Sequence, residues 1–141
     1  MNFKDCILKG LIRKDKSAPE RIKKSLEIAE RFQISAKKNI EIKELEMAEI
    51  ASYSSIFHSA RSLLFKNEYT ERSHVCIILA LKEIYKSNHE LLELLNTFDK
   101  IRISRHNIQY GGTLIDKEEA EFVYEFAKKF LEKTKKIIKE K

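Results

Sequence analysis

Three glycines and one proline in 141 residues cannot supply the turn that a β-sandwich or barrel needs every ~8–12 residues. A chain so poor in breakers must run in long elements with few reversals. Its length is that of one domain around one core, so residues 1–141 are expected to form a single unit. Hydrophobic residues, at 43%, are enough to fill that core, and with 35% charged residues the surface must be densely ionic. Lysine and glutamate, 21 and 18 residues against two glutamines, are strong helix formers and also typify heat-adapted surfaces. The expected class is all-α.

Periodicity and start signals divide the chain. Ser17-Ala18-Pro19-Glu20 has the form of a capping box with an early proline, and Ile22, Leu26, Ala29, Phe32 and Ala36 then recur at helical spacing as far as about Asn39. Residues 3–13 have the pattern of a shorter helix, interrupted by Gly10. From Lys43 to Asn67 nothing breaks the pattern, which gives one helix of about 37 Å. Between Ala51 and Phe65 it is apolar over much of its circumference, so it should be central, with some surface to spare for a second subunit. Glu68 to Ser73 reads as a polar connection. The apolar run Val75–Tyr85 is too long for a lone buried strand and reads as helix. Ser87-Asn88-His89-Glu90 opens a helix to about Arg105, Gly111-Gly112 marks a turn, and Asp116-Lys117-Glu118-Glu119 starts the last helix with acids at its positive end. Short connections predict an antiparallel up-and-down four-helix bundle with one or two extra N-terminal helices.

No run approaches the ~18 apolar residues of a membrane span, and the N-terminus is charged every few residues, unlike a secretion signal. The expected compartment is the cytoplasm, where Cys6 and Cys76 should be two separate buried thiols. The formal charge of +6 sits at the two ends: residues 1–41 carry 11 basic and 6 acidic side chains, and residues 127–141 carry 7 and 2. Such ends can attract phosphate backbones, or simply keep helices soluble and oppose the C-terminal dipole of the last one.

No glycine-rich phosphate loop, CxxC pair or HExxH occurs, so motif-based nucleotide loops and zinc hydrolases have no support. A di-iron bundle needs Glu-x-x-His on two helices, and the spacing occurs once, in Glu71 and His74. No metal and no cofactor is expected. His58 reads as a core histidine with a satisfied nitrogen, and His74 and His89 as local helix-start residues. What remains is Arg102 to Gly112. Here Arg102, Arg105, His106, Asn107 and Tyr110 gather two guanidiniums, an imidazole, an amide and a phenol with few nearby acids. That density suits an anion: arginine grips phosphate bidentately, histidine exchanges a proton near neutrality, and tyrosine offers a stacking face or a modifiable hydroxyl. The same residues could instead satisfy terminal carbonyls, with Tyr110 packed under the turn.

The order of these features resembles the HEPN domain, a small helical family whose stand-alone members occur in archaea and bacteria. The resemblance spans about residues 18–138. It lies in Tyr53-Ser54-Ser55-Ile56-Phe57-His58-Ser59-Ala60-Arg61-Ser62-Leu63-Leu64, in Arg72-Ser73-His74 opening the next helix, and in Arg105 to Tyr110 before a glycine turn. Ribonucleolytic members carry an arginine, a polar residue, three or more variable residues and a histidine, with two such motifs meeting across a homodimer to cleave RNA without metal. Arg105 and His106 match the first two positions, but Tyr110 stands where the histidine is expected. A tyrosine, with an ordinary pKa near 10, is a poor proton shuttle at neutral pH. The resemblance therefore implies a homodimer acting as the toxin-like, nucleotide- or RNA-binding half of a module with a small nucleotidyltransferase. Arg102, Arg105, Asn107 and Tyr110 would bind, and Tyr110 would be the acceptor if a nucleotidyl group is transferred. The alternatives are a metal-independent endoribonuclease using Arg105 and His106, and a non-catalytic interaction bundle.

Overall fold

The computed structural model describes residues 1–140; Lys141, counted above in the basic C-terminal stretch, lies outside them. In chain order the elements are α1 (Phe3–Leu8), β1 (Ile12–Lys14), a 3-10 turn (Ala18–Arg21), α2 (Ile22–Glu41), α3 (Leu45–Lys66), β2 (Tyr69–Glu71), α4 (His74–Ile84), α5 (His89–Gly111) and α6 (Lys117–Lys139). The fold is an all-α helical bundle. The centre is α3, which packs against α2, α4, α5 and α6. Ile56, Ala60, Leu63 and Leu64 are wholly buried, and so are Ser52, Ser55, Ser59 and Ser62.

Small residues explain how closely α2 and α3 meet. Ala29 and Ala36 of α2 are fully buried, and hydroxyls join the two backbones directly: Ser55 Oγ donates to the Ala29 carbonyl at 2.8 Å and Ser25 Oγ to the His58 carbonyl at 2.7 Å. Such bonds satisfy polar groups that burial would otherwise leave costly. On the opposite side larger rings fill the gap between α3, α5 and α6: Tyr53 lies 5.8 Å from Phe98, and Phe98 lies 5.7 Å from Phe130, centroid to centroid.

Helix starts follow their signals with one exception. Ser73, Asn88 and Asp116 each accept a bond from the backbone N–H three residues on, and Asn2 forms a capping box with Asp5. The capping box expected at Ser17 does not form. Its N–H and hydroxyl both donate to Asp15 Oδ1, at 2.9 and 2.7 Å, and Pro19 and Glu20 fall in the 3-10 turn before α2.

Three other expectations change. The helical pattern of residues 3–13 stops at Leu8, because Gly10 takes φ +71° and turns the chain into β1. The connection expected at Glu68–Ser73 contains β2, which pairs antiparallel with β1, Ile12 opposite Glu71 and Lys14 opposite Tyr69. One short N-terminal helix precedes the long ones, within the one or two expected, and the helix expected over Val75–Tyr85 is α4. Cys6 and Cys76 are not separate thiols: the Gly10 turn folds α1 back onto α4, and the two cysteines, both fully buried, form a disulfide with Cα atoms 5.8 Å apart. Closing a loop across a sequence separation of 70 removes about 4 kcal/mol of unfolded-chain entropy. Cysteine usage accordingly gives no argument for a reducing compartment. Among the described residues no helix is long and apolar enough to cross a membrane.

Candidate anion site on α3, α4 and α5

The Arg102–Tyr110 segment is helical throughout. The expected end near Arg105 is displaced by six residues, since α5 continues to Gly111 and closes on Gly112 in the left-handed region at φ +72°. A helix separates what a loop could have gathered. Arg102 and Arg105, three residues apart, share the face toward α3 and α4, whereas His106, Asn107 and Tyr110 are exposed. Tyr110 is not packed under the turn: it is 70% exposed, and its ring lies 5.0 Å from that of His106, one turn back.

The two arginines differ in their partners. Arg102 Nε donates to Asp99 Oδ1 at 3.0 Å, an intrahelical pair the sequence reading had not assigned. Arg105 has no carboxylate. Its Nη1 donates to Gln109 Oε1 at 2.6 Å, its guanidinium carbon lies 4.5 Å from the centre of the Tyr53 ring, and its Nε is buried without an acceptor. A guanidinium half-buried over an aromatic face with an unused donor is held in place while part of its hydrogen-bonding capacity remains open.

Behind Arg105 lies a cluster that spacing along the chain did not reveal as a site. Tyr53 of α3 is 3% exposed, and its hydroxyl lies 2.5 Å from His74 Nδ1 at the first turn of α4. The His74 ring stacks on Phe57 with centroids 4.1 Å apart. Beside it Arg61 binds Glu71 of β2, Nε to Oε1 at 2.8 Å, and lies 5.7 Å from the Phe57 ring centre. The lone Glu-x-x-His spacing is thereby used up in structure: Glu71 holds Arg61, and His74 holds Tyr53.

The electrostatics follow from burial and positive neighbours. Burial raises the Tyr53 phenol above its ordinary range, against the lowering influence of Arg105. Burial lowers His74, and Arg105, Arg102 and Arg61 lower it further, so the imidazole is neutral at physiological pH. His58 is pushed down to about 4 by burial, then by Arg61 and His74. Its ring stacks 5.8 Å from Phe32, but its Nδ1 is buried without a partner, so the satisfied nitrogen expected there is absent. The site as a whole is an excess of guanidinium over carboxylate beside a neutral imidazole, an arrangement able to take an anion and, with it, a proton.

The class that the fold defines is a small all-α bundle wound around α3. Residues 22–138 match the HEPN domain model, and the chain belongs to the HEPN family. Two curated relatives come from Methanocaldococcus jannaschii. The chain is 31% identical over 121 residues to "Putative toxin MJ0142", covering 84% of this chain and 78% of the relative. It is 31% identical over 137 residues to "Putative toxin MJ0605", covering 94% and 98%.

Proposed function

We propose that this HEPN protein is the toxin-like half of a two-component module whose other half is a small nucleotidyltransferase, and that Arg102 and Arg105 bind the phosphate of RNA or of a nucleotide. The toxin names of two relatives that align over most of their length support the toxin-like role, and the nucleotidyltransferase partner is what the resemblance to the family implies. One observation carries the second part: Arg105 is fixed over the Tyr53 ring and by Gln109, with no carboxylate to neutralise it. A cation already held in place has less ordering cost left to meet when an oxyanion binds.

Asn107 and Tyr110 have a secondary place in this reading. Both are exposed on the other flank of α5, so they can meet a ligand that extends past Arg105, or a partner protein. Tyr110 remains the candidate acceptor of a nucleotidyl group, since its ring is open to a second enzyme. A ribonuclease using Arg105 and His106 is less well served, because His106 stands beside Tyr110 and makes no hydrogen bond that would orient it among the described residues. The test is the affinity of wild type and Arg105→Ala for a single-stranded RNA oligomer and for ATP at one fixed salt concentration. Loss of one charge-assisted contact predicts weakening by about tenfold or more. Equal affinities would remove the α5 cluster from the function.

A further inference from the structure

His74 lies 21 residues from Tyr53 and 31 from Arg105, yet the fold puts the three in line: Arg105 on the Tyr53 ring, the Tyr53 hydroxyl on His74 Nδ1. Only one ring nitrogen is thereby occupied. Nε2 has no protein partner among the described residues, and His74 is exposed although Phe57 and Tyr53 fix the plane of its ring. If the Tyr53 hydroxyl donates to Nδ1, Nε2 already carries a hydrogen and an added proton goes to Nδ1, the phenol turning to accept it; if Nδ1–H donates to the phenol, the added proton goes to Nε2. In both charged forms Nε2 is a donor. We infer that His74 is a phosphate contact of the Arg102–Arg105 site, taking up one proton as a phosphodiester binds.

The sign follows from the groups around it. From α3 the ring is faced by Arg61 and His58, and from α5 by Arg102 and Arg105; the acids nearby, Glu71 and Asp99, are already paired with Arg61 and Arg102. Without a ligand these cations and partial burial hold the imidazole below its ordinary value and neutral. An anion seated between Arg105 and His74 offsets that repulsion and raises the imidazole's pKa. By linkage, a site that gains a proton on binding binds more tightly as pH falls. The increase is up to about tenfold for each pH unit, confined to the window between the free and the bound pKa of the imidazole.

This inference rests on the phosphate-binding reading above, and one set of variants separates the two. The probes are a hydroxyl-ended RNA oligomer and a 3′,5′-cyclic mononucleotide, diesters whose phosphates do not titrate between pH 5.5 and pH 8; their comparison tells polymer from mononucleotide as the source. His74→Asn places an amide where Nδ1 was and can keep the Tyr53 bond, and its thermal melt reports whether it folds. Wild type and a control at the exposed His89, His89→Gln, should bind one or both probes more tightly at pH 6 than at pH 8. His74→Asn should bind with a flat pH profile and an affinity near that of wild type at pH 8. In the NMR spectrum the His74 imidazole should titrate at higher pH with the probe than without it. A pH profile unchanged by His74→Asn, or a His74 titration that the probe does not move, overturns the inference while Arg105→Ala still weakens binding. If Arg105→Ala binds as wild type does, both readings fall; if wild type binds neither diester, this inference falls and the ATP arm alone decides the first reading.

Discussion

Glu49 shows what a single misplaced-looking residue can do to stability. It is wholly buried in α3; Ser104 Oγ donates to its Oε2 at 2.8 Å, and its Oε1 has no partner. Burial pushes its pKa up to about 7, opposed by the Ser104 bond and assisted by the like charge of Glu119. Its pKa in the folded state thus lies above that of the unfolded chain. Between the two values the folded protein holds a proton that the unfolded one has released, so stability falls as pH rises from about 4.5 to about 7 and is level above. The slope is about 1.4 kcal/mol per pH unit at most. Glu49→Gln keeps an acceptor for Ser104 and removes the titration. Urea unfolding at pH 5 and pH 8 should show a smaller fall for the variant than for wild type; an unchanged difference would assign the pH dependence to other groups. No spacing rule flags Glu49, since in the sequence it is one of several acids on a helix. Arg105 stands out in the sequence as a candidate because its neighbours in the chain are polar and not acidic. Tyr53 and His74 were not, because their link is a contact across α3 and α4 that only the packing creates.

At the scale of elements, the long helices were legible because each repeats its apolar stripe over five or more turns. The three-residue strands were not, since a stretch of that length carries no period and their pairing joins residues more than fifty positions apart. The disulfide escaped for a related reason: it depends on α1 folding back, not on cysteine spacing. The scarcity of glycine has its own answer. Two of the tight reversals use other residues in the left-handed region, Lys43 at φ 64° between α2 and α3 and Glu68 at φ 64° between α3 and β2. A side chain there costs about 1–2 kcal/mol, part of which a glycine would give back through its greater unfolded-state freedom. Lys43 is exposed, and its side chain forms no ion pair among the described residues. Lys43→Gly should therefore raise stability by about 0.5–1 kcal/mol, read as a higher denaturation midpoint at unchanged slope. A lower midpoint would mean that the lysine stabilises the turn by more than its backbone strain costs.

For the whole molecule, the sequence located the surplus apolar surface on the central helix, and the structure spends that surface internally. Ile56, Ala60, Leu63 and Leu64 are covered within one chain. The wet apolar side chains lie elsewhere, with Ile103, Tyr110, Leu114 and Phe122 at the end where α5 turns into α6 exposed by 49%, 70%, 80% and 58%. Phe122 also borders a groove of about 270 Å³ with Ile101 and Ser104, on the same helix as the arginines. Six other large apolar side chains, Leu8 and Ile42 among them, are exposed elsewhere, so this end is one candidate seat for a second copy. We propose a two-fold axis at this end as the seat of the dimer that the family resemblance implies. Light scattering at micromolar concentration should give a dimer for wild type and a monomer for Phe122→Glu combined with Leu114→Glu. Leu8→Glu, on the exposed face of α1, should leave the dimer intact. If the double variant is monomeric and also binds RNA more weakly by tenfold or so, the two sites act as one; if it is monomeric and binds as before, each protomer carries a complete site. A wild-type monomer at this concentration would refute the dimer and leave the Arg105 site to be judged on one chain alone.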